Sequence, residues 1–210
     1  MNNPAPVYGN YEDKYNARNP ISKFLVRGFL SAFDSFLHSL PARNIASACE
    51  VGCAEGELLK HIHAALPDSR LSATDISEEE IDKARKNCSA LPVTFSVQNA
   101  EALQIYQDAS FDLVVCCEVL EHLTDPVRGL NELHRISSKY VLVSVPNEPV
   151  WKTLNILRGK YIKSLGNTPG HLNHWNVFQF PHFLGRAGFT LLKKKYPFPW
   201  QMVLLEKKLP

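Results

Sequence analysis

The chain has 210 residues, 45% of them hydrophobic and 21% charged, with a net charge of +2. That length and mixture suit one globular domain with a full core, and the modest charge excludes a strongly cationic nucleic-acid binder. No run reaches the ~18 apolar residues of a membrane span, and the opening Met-Asn-Asn-Pro-Ala-Pro lacks the blocks of a signal peptide. Five cysteines, Cys49, Cys53, Cys88, Cys116 and Cys117, form no Cys-x-x-Cys pair. They read as reduced thiols of a cytoplasmic protein, packed as small apolar groups rather than as a zinc site.

Residues 1–19 carry Tyr8, Tyr11, Tyr15 and Arg18 with no helical or strand period, which predicts an arm. From Pro20 onward Ile21, Phe24, Leu25, Phe29, Phe33, Phe36, Leu37 and Leu40 recur mostly at steps of three and four. That is one face of an amphipathic helix, opened by Pro20 and stopped by Pro41. Residues 1–40 therefore read as an arm and helix able to act as a lid, and 41–210 as the main domain. Apolar runs at Asn44–Glu50, Arg70–Asp75, Val93–Val97, Phe111–Cys117 and Tyr140–Val145 predict strands. Helical patterns separate most of them: Glu57–Leu66, a segment capped by Ser77 with Glu80 three residues on, and Asp125-Pro126 through Ile136. Such alternation predicts a parallel sheet with helices on both faces and right-handed crossovers. Residues 146–175, rich in Pro and Gly, interrupt it as an insertion with basic residues around Tyr161. A helix at Phe178–Ala187 precedes strands at Phe189–Tyr196 and Trp200–Leu205, whose short Pro-Phe-Pro link requires them to be antiparallel. Lys193, Lys194 and Lys195 mark an edge strand.

The first strand runs into Glu50-Val51-Gly52-Cys53-Ala54-Glu55-Gly56. Glycines after a strand permit a tight turn and close backbone approach to a ligand. No Gly-Lys-Ser/Thr ending follows, so this is not a phosphate loop. Asp75 ends the second run, 25 residues past Glu50, where a carboxylate reaches the ribose of a bound nucleoside. The third run leads into Gln98-Asn99-Ala100-Glu101, and the fourth into Cys117-Glu118-Val119-Leu120-Glu121-His122.

In these residues the chain resembles the class I S-adenosylmethionine-dependent methyltransferases over about residues 45–145. It is most similar to the small-molecule, type 11 branch that includes ubiquinone-biosynthesis-like enzymes. The resemblance implies a Rossmann-like, doubly wound α/β fold of seven mostly parallel strands with an antiparallel last strand. It implies S-adenosylmethionine as cofactor, S-adenosylhomocysteine as product and a small-molecule acceptor. Glu50 would lie near the methionine ammonium, with Gly52, Cys53 and Gly56 along the methionyl part. Asp75 would hold the ribose hydroxyls, Ile76 would pack on adenine, Asn99 and Ala100 would bind its polar edge, and Cys117 and Glu118 would line the floor. Ala54 and Asn99 stand where the family often has glycine and aspartate.

His122 is the candidate general base. Trp151, His171, His174 and Trp175, together with Tyr11, Tyr15 and Arg18 of the arm, are candidates for the acceptor pocket and its lid. A second resemblance is to the small-RNA 3′-terminal 2′-O-methyltransferases, which hold a divalent ion on carboxylates and histidines. It would place a metal on Glu118, Glu121, His122 and His171 or His174. A third reading is a non-catalytic methyltransferase-like binding subunit. The small-molecule reading expects no metal and no nucleic-acid partner, and the sequence leaves the oligomeric state open.

Overall fold

A computed structural model describes residues 19–208. Helix α1 (Pro20–Leu37) starts where the Asn19 side chain accepts the Ile21 N–H at 2.8 Å and Pro20 fixes the first turn. The strands are β1 (Ser47–Val51), β2 (Arg70–Asp75), β3 (Val93–Val97), β4 (Phe111–Cys117), β5 (Ser137–Pro146), β6 (Phe189–Lys195) and β7 (Trp200–Lys207). They form one sheet in the order β3-β2-β1-β4-β5-β7-β6, in which β7 runs antiparallel to both neighbours. The expected fold is thus present, and two predicted boundaries shift. The first strand starts at Ser47, because a 3-10 turn occupies Ala42–Asn44. The fifth begins at Ser137, directly after its preceding helix.

Side chains along the central strands alternate between two cores, as the two-residue strand period demands. Leu113, Val115 and Cys117 of β4 face one core, and Val114 and Cys116 face the other. The first core is closed by α1, α2 (Glu57–Ala65) and α3 (Glu78–Asn87), and the second by α4 (Pro126–Ile136) and α6 (Gln179–Gly185). Phe33 and Phe36 of α1 are fully buried in the first core. Helix α1 thus packs as a layer of the domain, while the arm candidates Tyr11, Tyr15 and Arg18 lie outside the described residues. All five cysteines are free and buried, and burial pushes the Cys49, Cys53 and Cys116 thiols well up. They pack as small apolar groups, as expected. Ser77 caps α3 by accepting the Glu80 N–H at 3.3 Å, while the Glu80 carboxylate pairs with Lys83 at 2.9 Å. Lys193 and Lys194 are exposed on the outer strand β6. No helix among the described residues is long and apolar enough to cross a membrane.

β1 lies between β2 and β4, so the chain winds outward in opposite directions from the β1/β4 pair. In such sheets the ligand crevice is expected at the carboxyl ends of these two strands, where the strand order reverses.

On the opposite core, His134 in the last turn of α4 packs edge-on against Phe189 at 4.9 Å. Burial, and then the Lys207 cation, hold its pKa below the ordinary histidine value. The unfolded chain therefore takes up more protons near pH ~6.5, and stability falls as pH drops through that range. We expect His134→Gln to lose less stability than wild type between neutral and mildly acidic pH, measured by urea unfolding. Equal losses in both proteins would assign the acid sensitivity to other groups.

Candidate functional site

Both acids that end neighbouring strands sit at the crevice. Glu50 of β1 is 3% exposed, flanked in register by Ala73 of β2 and Val115 of β4. The loop after β1 turns on three left-handed residues, Gly52 (φ 77°), Ala54 (φ 45°) and Gly56 (φ 85°). Its first two N–H groups, those of Gly52 and Cys53, both donate to the Thr74 carbonyl at 2.7 and 3.0 Å. Asp75 completes the tie: one carboxylate oxygen accepts the Ala54 N–H at 2.9 Å and the other the Ser77 N–H at 3.0 Å. Burial raises the Asp75 pKa, and these N–H groups oppose the rise.

The glycines answer to the protein's own packing. A Cβ at Gly52 would lie 2.2 Å from Val119 Cγ2, and one at Gly56 would lie 2.9 Å from Cys88 Sγ. At both positions the protein's own packing already excludes a side chain. The contact also presses the loop after β1 against the turn after β4.

Next to the loop, the Gln98 N–H donates to the Asp75 carbonyl at 2.9 Å and brings the turn after β3 to the same edge. There Asn99 Oδ1 accepts the Glu101 N–H at 2.8 Å, Ala100 is buried, and Ile76 stands exposed at the rim. Beyond β4, Cys117 is buried and Glu118 adopts a left-handed backbone (φ 61°). The Glu118 N–H donates to the Ser144 carbonyl, and the Ser144 hydroxyl donates to Glu118 Oε1 at 2.9 Å.

A 3-10 turn, Leu120–His122, carries Glu121 and His122 and is clasped by the insertion. The Leu172 and Asn173 N–H groups donate to the Glu121 carbonyl, and the Asn173 amide donates to the Leu123 carbonyl at 2.6 Å. His122 Nδ1 lies 2.9 Å from the Gly170 carbonyl. A carbonyl only accepts, so Nδ1 carries the hydrogen of this bond. The His122 ring stands 4.9 Å from that of His171, which is buried with Nδ1 3.0 Å from Glu148 Oε1. Trp151 stacks on His171 and donates its indole N–H to Thr168 Oγ1 at 2.8 Å.

The structure thus brings His122, His171 and Trp151 together and sets two candidates apart. His174 Nε2 binds Asn167 Oδ1 at 2.6 Å, outside the closest set although within electrostatic reach of Glu148 and His171. The Trp175 side chain belongs to the second core, against Phe180 and Phe183, so it packs the insertion rather than lining a pocket. Among the described residues, Glu121, His122 and His171 have ligand atoms within 4.8 Å of one another, a set that includes neither Glu118 nor His174. Sequence reasoning missed Glu148. Its signal was available: it opens α5 (Glu148–Leu157) just past the carboxyl end of β5, as Glu50 and Asp75 end their strands.

The chain is similar to known proteins. Residues 49–140 match the model of a methyltransferase domain family. A ubiquinone biosynthesis O-methyltransferase of Xanthomonas euvesicatoria pv. vesicatoria is 32% identical over 155 residues, 70% of this chain and 63% of that protein. The chain thus spans less than two thirds of that relative's length. Magnesium protoporphyrin IX methyltransferase from Synechocystis PCC 6803, solved with bound S-adenosylhomocysteine, superposes with a TM-score of 0.68 at 19% identity, covering 93% of this chain and 91% of that one. The cyclase SpnF superposes with a TM-score of 0.66 at 14% identity over 97% and 87% of the two chains, so the fold is shared beyond methyltransferases. The match over residues 49–140 spans the segment that carries both acids, at the ends of β1 and β2.

Proposed function

We propose that the protein is an S-adenosylmethionine-dependent methyltransferase acting on a small-molecule acceptor. One observation carries the reading: the buried acids Glu50 and Asp75 end adjacent strands around a left-handed loop at the sheet's switch point. The family match and the O-methyltransferase relative support it. The residues fit this cofactor, because an ionised carboxylate has about four acceptor sites and Asp75 uses one on each oxygen for backbone N–H groups. Both oxygens keep a lone pair for the ribose hydroxyls. Glu50 offers a negative charge to the methionine ammonium, and Gly52, Cys53 and Gly56 provide the backbone that the methionyl part follows. Ile76 offers an apolar face to adenine, and Asn99 and Ala100 face its polar edge. Cys117 and Glu118 form the floor.

When bound, S-adenosylmethionine supplies a methyl group already activated on positive sulfur. The protein's task is then positioning and, for a hydroxyl acceptor, removal of one proton. His122 is the residue we assign to take that proton, its ring oriented by the Gly170 carbonyl. Trp151 and His171 shape the acceptor side, and the arm with Tyr11, Tyr15 and Arg18 closes over it as a lid on the domain that follows. Five free, buried thiols support a reducing compartment, the cytoplasm.

Calorimetry with S-adenosylmethionine tests the cofactor site. Asp75→Ala removes charged hydrogen bonds worth ~1.5–3 kcal/mol, so we expect binding weaker by roughly tenfold to a hundredfold. Unchanged affinity in a folded variant would remove Asp75 from the site. Binding without methyl transfer to any of a pool of small-molecule acceptors would favour the non-catalytic subunit.

A second reading has one observation behind it, the close set of Glu121, His122 and His171. In the metal-free reading, a chelator leaves turnover intact, and His122→Ala lowers kcat and flattens its pH dependence. Turnover lost to chelator, regained with manganese and directed to the 3′ end of an RNA would establish the metal-dependent alternative.

A further inference from the structure

Trp200 buries a hydrogen-bond donor that has no acceptor among the described residues. The residue is 4% exposed, and its indole Nε1 is buried without a partner. A buried tryptophan N–H ordinarily finds an acceptor, and one left unmade costs free energy that a phenylalanine in its place would avoid. Trp151 beside it follows the rule and donates to Thr168 Oγ1. Packing alone therefore does not account for an indole at position 200.

The place of Trp200 in the sheet indicates where its partner comes from. It opens β7 opposite Pro146, the last residue of β5, and the neighbouring Pro199 carbonyl accepts the Asn147 N–H at 3.0 Å. β5 runs parallel to β4, and β4 to β1, so Trp200 stands on the sheet edge to which Glu50 and Cys117 also belong. Open α/β sheets hold their ligands at that edge. Trp200 shares an apolar cluster with Cys117, on the sheet face covered by α1.

A row of rings joins Trp200 to the acceptor side. The Trp200 and Trp151 centroids are 5.6 Å apart, Trp151 stacks on His171 at 6.4 Å, and His171 meets His122 edge-on at 4.9 Å. Phe29 of α1 closes the other side of Trp200, edge-on at 5.3 Å. A neutral donor in such a wall complements an oxygen that accepts a hydrogen bond: a carbonyl, an ether or a hydroxyl. A site that hydrogen-bonds one oxygen of its substrate disfavours analogues lacking it, because the protein's polar group is then left unpaired.

We propose that Trp200 is a specificity-determining residue, whose indole N–H donates to a second oxygen of the acceptor, apart from the atom that receives the methyl group. The inference rests on the methyltransferase reading, because it takes the ring wall to face the acceptor.

Nitrogen-15 spectra of the tryptophan indoles in the full chain, with S-adenosylhomocysteine bound, test it. Trp200→Phe identifies the Trp200 signal by its loss. The probes are the ortho, meta and para isomers of methoxyphenol against the same isomers of ethylphenol, which match them in shape and lack the ether oxygen. We expect a methoxyphenol to move the Trp200 indole proton downfield and its ethyl counterpart to leave it in place. In titrations, Trp200→Phe should weaken that methoxyphenol about fivefold to tenfold and leave its ethyl counterpart within about twofold. Trp175→Phe, in the second core, should leave the difference between the two probes unchanged. Thermal melts report the folding of each variant. A Trp200 signal that no methoxyphenol moves, or that both sets move alike, would overturn the proposal. So would equal weakening of both probes by Trp200→Phe, since the ring would then serve packing alone. Failure of the wild-type protein to bind S-adenosylhomocysteine would overturn the methyltransferase reading itself, and the proposal with it.

Discussion

Asp75 stands where two strand ends and a helix start meet, and the shape of the crevice depends on its carboxylate. Burial works against the charge, while the Ala54 and Ser77 N–H groups favour it. The Ser77 contact also puts the negative charge at the N-terminal end of α3, where the helix dipole favours it. The same bond to Ala54 holds a non-glycine residue in the left-handed region, a conformation it leaves readily without support. One group thereby fixes the loop after β1, the end of β2 and the first turn of α3. The Gly52 contact with Val119 extends that order to the turn after β4.

The acceptor side is assembled differently. Its pieces lie about fifty residues apart in sequence, and backbone groups do most of the joining: the carbonyls of Leu120, Glu121 and Leu123 receive donors from residues 172 and 173. Burying a carboxylate against an imidazole, as Glu148 does with His171, costs desolvation that a simple packing role would not require. The return is orientation: with Nδ1 committed to the carboxylate, the ring is set, and Trp151 holds its face.

How much of this could be read from the chain depends on how local the signal is. The strand–helix alternation, the Ser77 cap and the acids Glu50 and Asp75 are legible because each rests on a short period or on its place at a strand end. Gly52 was legible as a turn, but its true neighbour, Val119, lies on another strand's loop, and no spacing reveals that contact. His174 and Trp175 looked equivalent to His171 in a run of polar and aromatic residues. Which of the three meets His122 is decided by the long-range clasp, which also sends Trp175 into the core. The period of helix α1 shows an apolar face without showing what covers it, and the structure packs Phe33 and Phe36 into the first core.

The cysteines make the molecule a reporter of its own opening. They are distributed over β1, the loop after it, the end of α3 and β4, and every one is buried and free. A thiol-reactive dye added to the native protein meets neutral, inaccessible sulfur, so labelling waits on local or global unfolding. Cys88, whose thiol donates to the Gly56 carbonyl at 3.2 Å, would report release of the glycine loop from α3. Cys49 and Cys116 would report the parting of the central strands. The order in which the five sulfurs become reactive would therefore chart which parts of the sheet yield first, with no residue changed.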